Sequence, residues 1–254
     1  MIDKLPLNNV LFLDVETVSG THRFEDLREE LQYLWRLKTA QLLKIPIDEI
    51  ETEELKTFYQ DRAAIYSEFG KIVCISVGLI INEEKGAMRV RLKSFYGFDE
   101  KKLLEEFAEL IEQYFNDVNK HFVCGHNLRE FDIPYICRRM VVQGIKLPAL
   151  LQLHGKKPWE TKYLLDTMDL WKFGDYKHYS SLKLLTAIFG IPTPKDDIDG
   201  SEVGRVFWED KDIERIAIYC EKDVIAVIQI MMKFKRMDTF EANQITSLLT
   251  ESSS

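Results

Sequence analysis

Only four cysteines occur in 254 residues, and no two form a C-x-x-C pair, which excludes a disulfide framework and a thiolate zinc site. Cys74, Cys124, Cys137 and Cys220 lie inside apolar or helical runs and read as buried thiols of a reducing compartment. No uninterrupted apolar run approaches the length of a membrane span. Residues 1–6 lack the basic start and apolar segment of a signal peptide, so a soluble, cytoplasmic protein is the expectation. Basic residues are not in excess either. There are 34 Lys and Arg against 42 Asp and Glu, a formal charge of −8. That balance argues against a protein whose whole surface follows nucleic acid through counterion release, but it permits a local groove. Carboxylates gathered around metal ions would also count toward −8 while binding cations that reverse their local field.

The chain is rich in what a folded core needs. It is 46% hydrophobic and 30% charged, which suits one large domain and not a disordered chain. Strand and helix patterns alternate, no internal repeat is visible, and no linker separates two cores, so residues 1–240 read as one α/β domain. Residues 23–67, rich in Glu, Leu, Lys and Gln, favour two helices divided by Pro46, and form a helical insert over about 21–68. Its rings, Phe24, Tyr33, Trp35, Phe58, Tyr59 and Tyr66, read as core. A strand at 71–81 and another at 88–96 form a hairpin, and 99–118 is an amphipathic helix. A short strand at 121–126, a helix at 131–142, a strand at 163–170, a short helix at 181–189 and a long one at 210–235 follow. Residues 241–254 read as a flexible tail.

Three acidic motifs carry the chemistry. In Val10-Leu11-Phe12-Leu13-Asp14-Val15-Glu16-Thr17 an apolar strand leads to two carboxylates at i and i+2, which a strand projects to one side at its carboxyl end. Two such anions repel by about 4 kcal/mol at 4 Å and an effective dielectric near 20, an arrangement core strands avoid unless a cation sits between them. The alternative is that both are solvated loop residues. The second motif, Gly125-His126-Asn127-Leu128-Arg129-Glu130-Phe131-Asp132, follows a buried strand and opens a helix, where sites form in α/β sheets. Asn127 with Glu130 also resembles a capping box, and Asp132 would complement the helix dipole in any case. His126 has no partner at metal-ligand spacing and reads as a hydrogen-bonding residue. The third, Tyr219-Cys220-Glu221-Lys222-Asp223, puts Tyr219 and Asp223 on one face of the long helix.

D-x-E-T at 14–17, N-x-x-x-F-D at 127–132 and Y-x-x-x-D at 219–223 together resemble the three exonuclease motifs of the DEDDy 3′–5′ exonucleases. The closest resemblance is to a stand-alone form of the proofreading exonuclease domain of family B DNA polymerases. The stretch from Asp166 through Asp199-Gly200-Ser201 is similar to these domains too. The resemblance implies a ribonuclease H-like fold, with a mixed five-stranded sheet flanked by helices. It implies that Asp14, Glu16, Asp132 and Asp223 are metal-binding carboxylates and that Tyr219 helps position the attacking water. Thr17, Asn127 and Phe131 match positions that contact the 3′-terminal nucleotides. The implied activity is hydrolysis of single-stranded DNA to nucleoside 5′-monophosphates with two divalent cations. Hard oxygen donors with no thiolate nearby favour Mg²⁺ or Mn²⁺ over zinc. The same chemistry on RNA and a catalytically silent nucleic-acid-binding module are the competing readings. For the strand's path, Lys156, Lys157, Lys162, Lys172, Lys177, His178 and Lys183 are interleaved with Trp159, Tyr163, Trp171, Phe173, Tyr176 and Tyr179. Such a mixture suits a single strand, or equally a core with solvated charges around it.

Overall fold

The first strand is longer than its apolar run. β1 spans Val10–Ser19 and carries Asp14 and Glu16 in its middle, not at its carboxyl end. The computed structural model describes residues 2–83, 86–175, 177–192 and 198–251. After β1 come α1 (Glu29–Leu43) and α2 (Thr52–Arg62), with Pro46 between them as expected. They close on a small core of their own, built from Phe24, Leu27, Trp35, Ile50, Leu55, Tyr59 and Ala63. Phe58 and Tyr66 pack against it, but Tyr33 points outward and is 58% exposed, an exception to the core reading of these rings.

β2 (Gly70–Asn82) and β3 (Met88–Tyr96) form the expected hairpin, followed by α3 (Glu100–Tyr114), β4 (Phe122–Gly125) and α4 (Asp132–Val142). β5 is only Leu164–Asp166, where a strand to residue 170 was expected. The Asp166 carboxylate accepts the Met168 N–H at 3.0 Å, which starts α5 (Thr167–Lys172) in its place. α6 (Leu182–Ile188) and α7 (Val203–Arg205) follow, and α7 continues into one π-type turn, Val206–Asp210. Asp212 then caps α8 (Ile213–Phe234) through the Arg215 N–H.

The sheet has six strands, in the order β5-β4-β1-β2-β3-β6, where five were expected. The additional strand comes from residues assigned to a flexible tail. β6 (Ile245–Ser247) lies parallel to β3, and α9 (Leu248–Glu251) follows it. The exposed edge of β3 offers unpaired backbone groups that this segment satisfies. The Gln229 amide fastens the segment's approach by bonding both the carbonyl and the N–H of Phe240, at 2.7 and 2.9 Å.

Opposite faces of the sheet are covered by different helices. Leu11, Leu13, Val15, Ile75 and Val77 pack with α3 and α4. Val10 and Phe12 pack with Val224, Val227 and Ile228 of α8. Side chains alternate along a strand, so Asp14 and Glu16, in step with Phe12, face α8. β2 contains a bulge here: Glu16 pairs with Cys74 and Thr17 with Ile72, leaving Val73 as the extra residue. Both Val73 and Cys74 therefore turn toward α8 beneath the acidic pair.

Candidate active site

Asp14 and Glu16 stand on the central strand, and β4, which pairs with residues 10–12, ends before reaching them. Past that end Asp132, in the first turn of α4, faces the Val15 amide, which favours its ionised form. From the other side α8 presents Asp223 and, one turn earlier, Tyr219. The buried stripe Ile216, Ala217, Cys220, Val224 and Val227 turns the intervening face of that helix onto the sheet.

The proximity of the four carboxylates is written in their titration. Burial holds Asp14 well above the ordinary carboxyl range, and Asp132, Glu16 and Asp223 push it further. Burial does the same to Glu16, with repulsion from Asp223 adding to it. Asp132, only 3% exposed, is raised to about 7, chiefly by burial and less by Asp166 and Asp223, with the backbone amides of Asp132 and Val15 opposing. A cluster like this resists ionisation unless a cation joins it. Its donors are hard carboxylate oxygens, the chemistry that Mg²⁺ and Mn²⁺ require.

One sulfur stands closer than expected. Cys220 Sγ lies 3.5 Å from Asp14 Oδ2 and 3.4 Å from the Asp14 carbonyl oxygen, so a thiol, though not a thiolate, borders the acids. Asp14, Glu16 and Cys220 bring ligand atoms within 4.8 Å of one another. Burial raises the Cys220 thiol well above its usual range, and in that form it donates to Asp14. The sequence signal for this was present: Cys220 falls on the inward stripe of the helix, opposite the strand that bears Asp14.

Asp166 is the organising residue that the motif spacing did not single out. Fully buried at the end of β5, it accepts the N–H groups of Asn127 (2.9 Å) and Arg129 (3.0 Å) besides that of Met168. These bonds hold the turn in which Asn127 takes the left-handed conformation at φ +61°. Asn127 is not the helix cap, since α4 begins after Phe131 with no side-chain cap, and its buried Oδ1 has no hydrogen-bond partner among the described residues. The Phe131 ring is half-buried, 5.4 Å from that of Tyr135. The Thr17 hydroxyl donates to the Ala64 carbonyl at 2.9 Å, and Tyr135 donates to the same oxygen at 2.8 Å, fastening the exit of the insert to β1. His126 is the hydrogen-bonding residue expected, set between the Thr167 hydroxyl (2.9 Å) and the Ser180 carbonyl (2.8 Å).

The stretch at 156–183 divides. Tyr163 is buried, and Trp171 packs on Phe189 and Phe234. Trp159, Phe173 and Tyr179 face outward, and Tyr176 lies outside the described residues. Lys172, which stands over the Tyr179 ring, is already paired with Asp169 at 2.9 Å.

No helix among the described residues is long and apolar enough to cross a membrane. Comparison with known proteins gives the geometry its context. The chain is 24% identical over 210 residues to a DNA polymerase of Pyrococcus glycovorans, covering 73% of this chain and 26% of that protein. Its fold superposes with a TM-score of 0.52 and 15% identity on the family B DNA polymerase of the hyperthermophilic archaeon Pyrobaculum calidifontis, over 91% of this chain and 24% of that one. The chain thus spans about a quarter of the length of each of these polymerases. A family model described as a predicted 3′–5′ exonuclease related to the exonuclease domain of PolB matches residues 65–251, which include Asn127, Phe131, Asp132, Tyr219 and Asp223. Asp14, Glu16 and Thr17 precede the matched range, and it is the tertiary structure that brings the two acids of β1 to the matched ones. The mixed sheet flanked by helices, the acidic cluster and the family match agree: this chain belongs to the family of predicted 3′–5′ exonucleases related to the exonuclease domain of PolB.

Proposed function

We propose that the chain is a metal-dependent 3′–5′ exonuclease that hydrolyses single-stranded DNA to nucleoside 5′-monophosphates by a two-metal-ion mechanism. The observation that carries this reading is the convergence of Asp14, Glu16, Asp132 and Asp223 from three separate motifs into one mutually repelling group, with Glu16 and Asp132 buried and Asp14 and Asp223 half-buried. A binding module gains nothing from four clustered anions facing phosphates. DNA, in preference to RNA, is supported by the DNA polymerases among its relatives.

In this reading the four carboxylates hold two divalent cations, Mg²⁺ or Mn²⁺. When bound, such ions make water acidic enough to attack at neutral pH and neutralise charge on the attacking and leaving oxygens. Asp132, in the first turn of α4, would offer its carboxylate to a cation beside the Val15 amide. The Cys220 thiol orients Asp14 in the same way from beneath. Tyr219, on the face of α8 shared with Asp223, orients the attacking water through its hydroxyl without acting as a strong base. Asn127, with its unpartnered Oδ1, and the half-buried Phe131 ring contact the terminal nucleotides. Thr17 borders that subsite with its hydroxyl committed to Ala64.

The test is degradation of single strands labelled at either end, DNA and RNA in parallel, with Mn²⁺. Shortening from the 3′ end alone, faster on DNA, is the expected result, and Asp14→Asn abolishes it while leaving the metal-free fold at least as stable. Gel retardation without shortening would instead identify a silent binder, and loss of folding in Asp14→Asn would make Asp14 structural.

A further inference from the structure

The proposed site occupies the middle of β1, and a second constellation lies farther along the same strand. Ser19 is about 10 Å beyond Glu16 at 3.3 Å per residue. Its hydroxyl accepts the Trp208 indole N–H at 3.1 Å. Cations and rings gather around that indole. Lys71 Nζ lies 4.5 Å from the Trp208 ring and 4.7 Å from that of Phe207, and Lys211 Nζ lies 5.1 Å from Trp208. His22 stacks on Trp208 with centroids 5.7 Å apart and 14° between planes. Phe98 rests on Phe207 at 5.0 Å and is 53% exposed.

Three of the acids nearby are already engaged. Asp210 pairs with Arg205 at 2.7 Å, Glu100 with Arg139 at 2.6 Å, and Asp99 caps α3 through the Lys102 N–H. Glu68 and Glu209 stand at the rim. Neither Lys71 nor Lys211 has a carboxylate within ion-pairing distance among the described residues. The patch opens onto a cavity of about 650 Å³ bordered by Gly20, Lys71, Phe98, Lys101 and Arg139. Trp208 and Tyr219, the latter one turn from Asp223 on α8, pack against one apolar group that contains Val18, Cys74 and Cys220.

We propose that Trp208, Phe98, Lys71 and Lys211 form a binding patch for single-stranded nucleic acid that holds the nucleotides preceding the hydrolysed 3′ end. This rests on the exonuclease reading and extends it to the strand's path. Ammonium groups held over the Trp208 ring meet phosphates, and the exposed Phe98 ring accepts a base without regard to sequence. The stretch at 156–183 is the weaker candidate, since its Tyr163 and Trp171 are spent on packing and its Lys172 on Asp169.

The experiment uses the full chain and 5′-fluorescein oligothymidylates, a trinucleotide and a dodecanucleotide. Anisotropy is read in chelator and degradation in Mn²⁺. The double variant Lys71→Gln/Lys211→Gln should reduce the slope of log K against log salt for the dodecamer by about 1.4, at roughly 0.7 per phosphate contact on a single strand. Phe98→Ala, which removes an exposed ring and leaves the core intact, should weaken dodecamer binding about ten-fold. In both, KM for the dodecamer rises while kcat, and both constants for the trinucleotide, stay as in the parent. Unchanged dodecamer affinity and salt slope would overturn the patch, and so would equal losses on trinucleotide and dodecamer, which mark a structural disturbance. If the parent shortens no strand, the exonuclease reading falls, while the binding comparison still decides the patch.

Discussion

Replacing Asp132 with Asn should stabilise the metal-free protein, by an amount that depends on pH. The carboxyl is 3% exposed and has a folded pKa of about 7 against an ordinary value of 3.8. With its folded pKa raised, Asp132 in the folded chain keeps a proton that the unfolded chain releases. Stability is therefore full below pH 4 and is lost as pH rises toward 7, at about 1.4 kcal/mol per pH unit. The accumulated cost is about 4 kcal/mol at pH 8 and less than about 2 kcal/mol at pH 5. Asn removes the titrating group and keeps nearly the same shape. At 2–4 °C per kcal/mol for a chain of this size, Asp132→Asn should melt roughly 10 °C higher than the parent at pH 8 in chelator. The gap should narrow to a few degrees at pH 5. Addition of Mn²⁺ at pH 8 should raise the parent and not the variant, since only the native cluster gains from the cation. Thermal melts at the two pH values decide the matter. A variant that melts at or below the parent at pH 8 in chelator would refute the argument that these acids are held together against their repulsion.

Arg139→Met should cost about 3–5 kcal/mol in urea unfolding, because it strands the buried Glu100 carboxylate that Arg139 grips at 2.6 and 2.8 Å. The reverse change, Glu100→Gln, should cost less, since Gln143 and the Ile72 N–H still find an acceptor. Asp166→Ala should release three backbone donors and lower the affinity for Mn²⁺ measured by calorimetry, roughly 10- to 100-fold, because the turn before Asp132 loses its anchor. Tyr219→Phe should lower kcat with KM unchanged, as expected for a hydroxyl that acts only on the attacking water. A rise in KM alone would assign Tyr219 to strand binding.

Periodicity made most of the elements legible. The apolar stripe of α8, the hairpin β2–β3 and the two helices of the insert follow from local patterns of period 3.6 and 2. What escaped detection depended on partners distant in sequence. β6 has weak strand character of its own and exists because the edge of β3 needs a partner and Gln229 fixes the approach at Phe240. β5 is cut short by a capping aspartate, which a residue-by-residue reading of an apolar run does not register. Asp166 belongs to the candidate site through a backbone turn that no spacing rule points to, whereas the helical period turns Cys220 inward without saying which strand residue it meets.

The amino-acid sequence alone determined the class of fold, the residue types of the three acidic motifs and the hard-oxygen character of the candidate site. Those properties follow from composition and short-range periodicity, which act within a few residues. Only the tertiary structure decided that Asp132 faces β1 where β4 stops, that a thiol lies against Asp14, and that Lys71 and Lys211 flank Trp208 with no ion-paired acid among the described residues. Each depends on where strands end, how they bulge and which helix face meets them. Such contacts join residues up to two hundred positions apart, as Cys220 and Asp14 are, and their energies arise only once the chain has closed around them.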